Sequence, residues 1–233
     1  MRNAVLVTRP EPMASETAAR VAALGLTPVI ASILDVSSVP ATLPDPASLQ
    51  AVLVTSAAAI PGIPASHHRL PLLAVGDMTA ERARAAGFAN VHSGGADARA
   101  LAALAERLLA PGAGPVLLAG REGLGEPLEL DLQDRGFAVI RRSVYAVAPV
   151  SALPDTARGA LEQGTLKAAL FFSADTARAF VKLVQAAGLA NTVTEIDAVA
   201  IGQPAAVALE ALPWRSIRTA AHPTQDEMLA LLR

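Results

Sequence analysis

The sequence predicts an α/β protein with two similar lobes, each a parallel sheet flanked by helices. Two observations lead to this prediction. Short runs that are apolar throughout alternate with helix-length, alanine-rich segments along the 233 residues, and such runs are typical of strands buried on both faces of a parallel sheet. The same kinds of unit also recur in the same order in the two halves of the chain, which indicates an internal duplication.

In the first half of the chain, each predicted strand is an apolar run too short for a helix, followed by turn residues or a helix start. These strands are 5–8, 28–34, 51–55, 72–75 and 116–119. The intervening helices are 13–24, 77–86, 98–109 and 124–135. Gly25, Gly87 and Gly136 stand where the C-terminal glycine of a helix belongs.

The second half repeats this alternation after an extended segment over 137–147. Strands are predicted at 168–172, 198–201 and 216–219. Helices are predicted at 174–187, 204–212 and 224–232. Three unit types, strand–helix–glycine–strand, strand–serine–helix and strand–glycine–helix, therefore occur twice in the same order.

The duplication rests on the shared order of its segments, because alanine, valine and leucine match easily by chance. The matched segments are 5–7 with 116–118, 51–56 with 168–173, and 74–76 with 200–202. Two similar lobes imply a cleft, and ligands commonly bind at lobe interfaces. Open α/β sheets bind ligands beyond the carboxyl ends of their strands. The polar candidates there are Thr8, Arg9, Thr55, Ser56, Gly76, Asp77, Thr79, Gly120, Arg121, Ser173, Gly202 and Gln203.

Composition excludes several classes of function. The chain has no cysteine, which rules out disulfides, thiol catalysis and cysteine-bound metals. Its formal net charge of −2 lacks the basic excess of a nucleic-acid-binding protein. It has no apolar run of about 20 residues, the length that spans a bilayer, and its first apolar run is too short for a signal peptide. We therefore expect a cytoplasmic monomer with no nucleic-acid or membrane partner.

Familiar catalytic motifs are missing as well. The sequence has no G-x-S-x-G, no phosphate-binding loop and no G-x-G-x-x-G after a strand, which argues against a nucleotide-binding enzyme. The four histidines lack the spacing of metal ligands, so we expect surface roles for them and no metal site. Asp97 and Asp226 suit helix starts, and Trp214 suits packing.

The remaining polar residues at strand ends suit an anionic ligand. A glycine or serine between a strand and a helix lets backbone N–H groups face a carboxylate or phosphate, and Arg9 and Arg121 can add bidentate bonds. Two alternatives remain open. Ser56, Thr79 and Ser173 can be ordinary helix caps, and Tyr145, the single tyrosine, can be a packing residue on an inter-lobe strand.

The ordered set of motifs resembles the uroporphyrinogen-III synthase family over essentially the whole chain. It begins with Val5-Leu6-Val7-Thr8-Arg9-Pro10 and a helix that ends at Leu24-Gly25. The later motifs, in chain order, are Val54-Thr55-Ser56, Ala74-Val75-Gly76-Asp77-Met78-Thr79-Ala80, Ala86-Gly87-Phe88, Val144-Tyr145, Phe171-Phe172-Ser173, Ala200-Ile201-Gly202 and Ala221-His222-Pro223-Thr224.

The resemblance implies a discontinuous lobe of residues 1–36 with 149–233, a second lobe of 40–143, and linker strands at 36–39 and 143–148. It also implies the reaction: the linear tetrapyrrole hydroxymethylbilane loses its terminal hydroxyl, inverts its D ring through a spiro intermediate and closes to uroporphyrinogen III. No metal or cofactor takes part in this reaction. The small-molecule substrate carries eight carboxylates, so positioning its groups is the enzyme's main task.

By position, Tyr145 matches the family tyrosine proposed to assist departure of the hydroxyl. Arg9, Ser56, Thr79 and Ser173 match proposed substrate positions, to which strand-end geometry adds Gly76, Arg121, Gly202 and Gln203. Two segments depart from the family pattern: Gly202-Gln203-Pro204-Ala205, where one or two threonines are usual, and Pro61-Gly62-Ile63-Pro64, which replaces a helix. A non-catalytic or weakly active two-lobe binding or sensor protein is the alternative.

Overall fold

The computed structural model describes residues 2–11, 13–95 and 97–233. The chain divides into two compact units: unit 1 is Met1–Asp35 with Ala148–Arg233, and unit 2 is Val36–Val147. Unit 1 is therefore discontinuous in sequence, and the chain passes between the units twice. No helix within the described ranges has the length and apolar character needed to cross a membrane.

The described strands are short, apart from one of 11 residues. In chain order they are β1 (Ala4–Val7), β2 (Thr27–Ile30), β3 (Leu34–Ser38), β4 (Ala51–Val54), β5 (Pro71–Ala74), β6 (Asn90–Ser93), β7 (Val116–Arg121), β8 (Val139–Pro149), β9 (Leu166–Phe171), β10 (Asp197–Ala200) and β11 (Ser216–Thr219). The α-helices are α1 (Met13–Ala23), α2 (Asp77–Ala85), α3 (Ala98–Leu108), α4 (Glu126–Asp134), α5 (Asp155–Glu162), α6 (Ala174–Ala186), α7 (Gln203–Leu209) and α8 (Gln225–Ala230).

Unit 1 contains a five-stranded parallel sheet in the order β11-β10-β9-β1-β2. Every residue of β1 and β10 is buried, which explains why these strands are predominantly apolar. Val7 and Val199 on one face of the sheet share a core with Val21 of α1 and Met228 of α8. The sheet is therefore anchored by helices from both ends of the sequence.

An aromatic cluster forms a second packing centre in unit 1. Phe171 lies edge-on to Phe180 of α6, with ring centroids 5.2 Å apart. Trp214 packs against both rings, at 5.8 and 5.9 Å, and its indole N–H donates to the carbonyl of Leu209. The predicted packing role of Trp214 is confirmed.

Unit 2 contains a six-stranded sheet in the order β3-β8-β7-β4-β5-β6. The pairs β8/β7, β7/β4, β4/β5 and β5/β6 are parallel. One face packs against α3 and α4, and the other against α2 and a 3-10 helix at Ala57–Gly62. Parallel sheets flanked by helices confirm the predicted α/β class.

Local sequence explains where several helices begin. The Asp97 carboxylate accepts a hydrogen bond from the Ala100 N–H at 2.8 Å and caps α3, as the sequence predicts. Leu101, Leu104 and Ala105 then follow at helical spacing and are buried. Asp226 lies in the first turn of α8, which is capped by the Thr224 hydroxyl, so this acidic residue favours a helix start without capping it.

Some predicted elements differ from the structure. The predicted strand 28–34 is two strands, because the chain turns across the end of β1: the Ala31 and Ile33 N–H groups donate to the carbonyls of Val7 and Thr8. The strand β6 escaped prediction because its sequence, Asn-Val-His-Ser, is not an apolar run. The helix α5, in the segment that follows β8, was also missed.

The prediction of a surface role for every histidine is wrong for His67. This side chain is only 3% exposed. Its Nε2 lies 3.0 Å from the carbonyl of Pro44, and its Nδ1 lies 3.1 Å from the Ser66 hydroxyl. The ring packs inside unit 2 because both nitrogens find neutral partners, which satisfies the rule for buried polar groups.

Candidate functional site

In unit 2, the predicted site residues lie along one edge of the sheet. Parallel strands end at the same edge, so the residues that follow β4, β5 and β7 are neighbours at about 4.8 Å per strand. Those residues include Ser56 after β4, Gly76 and Thr79 after β5, and Arg121 at the end of β7. We call this edge the carboxyl edge of unit 2.

Ser56 begins the 3-10 helix that takes the place of a regular α-helix. Its Oγ accepts a hydrogen bond from the Ala58 N–H at 3.3 Å, so the capping alternative holds for this residue. Pro61 lies inside the 3-10 helix, where its missing N–H prevents a continuous α-helical ladder. Gly62, the last residue of the 3-10 helix, packs closely against Val144 of β8.

Gly76 forms a tight connection between β5 and α2. Its φ of +75° is a left-handed backbone conformation, which favours glycine. Its N–H donates to the carbonyl of Gly95 at 2.6 Å. Thr79 is the third residue of α2 and is 8% exposed, whereas Gly76 occupies the N-cap, so the capping alternative is wrong for Thr79.

Tyr145 lies beside the end of β7, opposite Arg121 in the strand register. Its carbonyl accepts a hydrogen bond from the Glu122 N–H at 2.9 Å, and an Arg121 amino group donates to the carbonyl of Val147 at 3.3 Å. Tyr145 is 7% exposed and belongs to the core cluster that includes Leu117. Its ring therefore packs in the core, as the packing interpretation of Tyr145 predicts. It lies at the level of the carboxyl edge of unit 2.

Two exposed apolar side chains at this edge are not among the residues predicted for the site. Met78, the second residue of α2, is 57% exposed, and Leu124, in the turn before α4, is 56% exposed. Nothing in the local sequence distinguishes them from buried methionine and leucine. Their exposure depends on how the sheet positions the connections that lead into α2 and α4.

In unit 1, the equivalent edge is formed by the residues that follow β1, β9 and β10. Thr8 is fully buried, and its hydroxyl donates to the carbonyl of Leu170 at 2.6 Å, so it links strands and does not face a ligand. Ser173 caps α6 by accepting the Thr176 N–H at 3.1 Å. Its hydroxyl also lies 2.8 Å from the hydroxyl of Thr176. The capping alternative therefore holds for Ser173.

Gly202 and Gln203 begin α7 beyond β10. Gly202 is extended, with φ of −178°, and supplies no side-chain cap. Gln203 is exposed and is followed by Pro204 in the first turn, a favoured position for proline. The chain thus presents an exposed amide at the start of a short helix.

Arg9 is partly buried and turns its guanidinium toward the body of unit 1. One amino group donates to the Gln225 amide oxygen at 3.1 Å, and the other contacts the sulfur of Met13. The guanidinium lies 4.2 Å from the centre of the Phe172 ring, within the range of a cation–π contact. Burial lowers the pKa of Arg9, and the Glu16 carboxylate acts in the opposite direction.

The arrangement can bind anions and orient them. Each edge offers hydroxyls, a guanidinium and helix starts, groups that bind carboxylates. Unit 2 brings together Ser56, Gly76, Thr79, Arg121 and Tyr145, and unit 1 brings together Arg9, Ser173, Gly202 and Gln203. No group of three or more histidine or acidic side chains suited to a metal occurs in the described ranges.

A family model described as uroporphyrinogen-III synthase HemD matches residues 15–230. No curated protein matches the chain. Among solved structures, uroporphyrinogen-III synthetase from Helicobacter pylori 26695 is similar, with 18% identity, a TM-score of 0.64 and coverage of 99% of this chain and 98% of that one. A mutant uroporphyrinogen III synthase from the extremely thermophilic bacterium Thermus thermophilus has 18% identity, a TM-score of 0.51 and coverage of 98% and 97%.

Proposed function

The chain belongs to the uroporphyrinogen-III synthase family, and we propose that it converts hydroxymethylbilane into uroporphyrinogen III and water. The reaction is a loss of the terminal hydroxyl, inversion of the D ring through a spiro intermediate and closure of the macrocycle. We also propose that the protein is a cytoplasmic monomer and that it uses no metal or cofactor. The observation that carries the proposed activity is that hydroxyls, one arginine and helix starts follow neighbouring strands at the carboxyl edge of each sheet.

The substrate has eight carboxylates around apolar pyrrole rings, and the described edges suit both features. Backbone N–H groups at helix starts and the guanidinium groups of Arg9 and Arg121 are carboxylate ligands. Met78 and Leu124 expose apolar surface at the edge of unit 2, which suits the ring faces. We assign substrate-binding roles to Arg9, Ser56, Gly76, Thr79, Arg121, Ser173, Gly202 and Gln203.

We assign Tyr145 the role of hydrogen-bond donor to the departing hydroxyl. A phenol carries an O–H group that can donate a hydrogen bond, as this role requires. The ring of Tyr145 is held in the core of unit 2, so its hydroxyl has little freedom to move. A hydroxyl held in a fixed position favours donation of its proton to one substrate atom, the oxygen of the departing hydroxyl.

The test supplies hydroxymethylbilane and separates the type I and type III uroporphyrinogens that form. The wild-type protein is expected to give the type III isomer well above the spontaneous rate of ring closure. If only the type I isomer forms, at the spontaneous rate, the assignment of the activity is wrong and a non-catalytic binding role replaces it.

For Tyr145→Phe we expect kcat to fall by about 10²-fold, in the range typical of a lost acid catalyst, with the thermal midpoint little changed because the ring is kept. The matched control is Thr194→Val, which removes an exposed hydroxyl that donates to the carbonyl of Asn191. An unchanged kcat in Tyr145→Phe would remove the residue from the mechanism without affecting the family assignment.

A further inference from the structure

The partners that hold the Arg9 guanidinium by hydrogen bonds are all neutral. Its Nη1 donates to the Gln225 amide oxygen at 3.1 Å and to the Thr17 hydroxyl at 3.4 Å. The sulfur of Met13 contacts Nη2, and the Phe172 ring covers one face of the guanidinium. These contacts orient the guanidinium without adding a negative charge, and the Glu16 carboxylate acts on Arg9 through its charge.

This arrangement is costly for the folded protein. Removing a guanidinium from water is unfavourable unless strong partners replace the water. In the described part of the chain, the Nε of Arg9 is buried and has no hydrogen-bond partner. A carboxylate at position 225 would hold the guanidinium more strongly than an amide does, since charge-assisted bonds are about twice as strong as neutral ones.

Gln225 is itself fixed by the local structure. The Thr224 hydroxyl caps α8 by accepting the Glu227 N–H at 3.3 Å, which places Gln225 at the first position of the helix. The Gln225 amide oxygen also lies 3.5 Å from the Thr17 hydroxyl. That hydroxyl donates to the carbonyl of Met13 one turn earlier in α1. The amide is therefore held between two helices of unit 1.

We propose that Gln225 is a positioning residue, whose neutral amide orients the Arg9 guanidinium and leaves its positive charge to bind a carboxylate of the ligand. The ligand carboxylate lies at the carboxyl edge of the unit 1 sheet, where Arg9 follows β1 and Phe172 follows β9. This inference rests on the proposed function for the identity of the ligand, and it assigns Gln225 a positioning role through Arg9.

The decisive variant is Gln225→Glu, which is isosteric and adds one negative charge. The new carboxylate pairs with Arg9 and competes with the ligand. The probe is uroporphyrin III, an octacarboxylate of the same class as the proposed product, and its binding is measured by fluorescence titration of the full-length protein. We expect Gln225→Glu to bind the probe at least about tenfold more weakly, with an equal or higher thermal midpoint.

The matched control is Gln185→Glu, which adds the same charge on the exposed surface of α6 in the same unit. The Gln185 amide donates a long hydrogen bond, 3.5 Å, to the carbonyl of Ala211. This control is expected to bind the probe like the wild type. A second variant, Gln225→Met, removes the amide without adding charge and is expected to weaken binding by about threefold, because Arg9 loses orientation and keeps its charge.

Unchanged probe affinity in a folded Gln225→Glu variant would overturn the proposal, as would a wild-type protein that does not bind uroporphyrin III. A purely structural role predicts the opposite pattern, with altered stability and constant affinity. Failure of the proposed function can be distinguished from failure of the Gln225 proposal. A protein that binds the probe but makes no type III product from hydroxymethylbilane is not the proposed enzyme, and the effect of Gln225 on binding still stands.

Discussion

Gly62 contacts strand β8 so closely that a side chain has no room there. A Cβ at this position would lie 2.7 Å from the Cβ of Val144 and 2.8 Å from its carbonyl oxygen. Val144 precedes Tyr145, so the spacing between the 3-10 helix and β8 also fixes the placement of the candidate catalytic ring. The departure from the family pattern at 61–64 is thus accommodated by a glycine at the contact.

We therefore expect Gly62→Ala to lower the free energy of unfolding by about 1–3 kcal/mol, the cost of overpacking a filled site. Urea denaturation measures this change. The control is Gly159→Ala inside α5, where the added Cβ meets only the flexible end of Gln163 at 3.8 Å. That substitution is expected to stabilise by about 0.5–1 kcal/mol through helix propensity. Equal effects of the two variants would contradict the steric argument.

Residue roles were predictable where chemistry is local. Asp97 caps the helix that begins beside it in sequence, as predicted. The burial of His67 was not predictable, because its partner Pro44 lies in a separate loop. The contact between Arg9 and Gln225 was equally hidden, since it joins residues from opposite ends of the chain.

At the level of elements, a buried carboxylate links β10 to β11. Asp197 is 5% exposed, and its Oδ1 accepts the Arg215 Nε–H at 2.7 Å and the Ser216 hydroxyl at 2.7 Å. Its Oδ2 pairs with Arg215 and lies 3.7 Å from Arg218. The hydrogen bond from Arg215 lowers the pKa of Asp197, and burial opposes this change in part.

The folded-state pKa of Asp197 lies below its unfolded value, so ionised Asp197 stabilises the protein at neutral pH. This stabilisation is present above about pH 4, the unfolded pKa, and is lost as the pH falls through the lower folded pKa. We expect Asp197→Asn to reduce the free energy of unfolding by about 1–3 kcal/mol at neutral pH, with a smaller difference from the wild type in acid.

Urea denaturation at neutral pH and at about pH 3, below the unfolded pKa, measures both effects. The control is Glu195→Gln, which removes a carboxylate 62% exposed in its pair with Arg2. Exposed pairs contribute about 0–1 kcal/mol, so little change is expected at either pH. A difference between Asp197→Asn and the wild type that grows in acid would refute the assigned direction of the pKa shift.

Elements were predicted best where burial on both sides produces a continuous apolar run. The strands β1 and β4, which are buried at every residue, lie within one residue of their predicted bounds, and most helices end within one to three residues of their predicted ends. The strand β6 has a polar sequence and lies at the edge of its sheet. Edge strands need not be apolar, because one side is not covered by another strand.

At the scale of the whole molecule, the net charge of the protein determines how we expect the rate of ligand association to depend on salt. The formal net charge is −2, and an octacarboxylate ligand has the same sign, so no long-range attraction draws the two together. We expect the association rate constant of uroporphyrin III to rise between about 0.05 and 0.2 M ionic strength, because salt screens the repulsion between the two like net charges. Stopped-flow fluorescence measures this rate.

A control reverses the charge at two exposed sites. Glu81→Lys and Glu210→Lys, one in each unit, change the formal charge from −2 to +2 in the double variant. That variant is expected to associate faster at low salt and to lose the advantage as salt rises. A steep fall of the rate with salt in the wild type would show that local arginines create a field stronger than the net charge suggests.

The sequence by itself determined the α/β class, the parallel sheets and the family. These properties depend on apolar periodicity and on glycine, serine and proline at strand ends, which are local in the chain. The tertiary structure decided which strands are neighbours, and therefore which strand-end residues share an edge. It also decided that Arg9 meets Gln225, that His67 is buried and that Met78 is exposed, because contacts between distant segments depend on packing that no local pattern encodes.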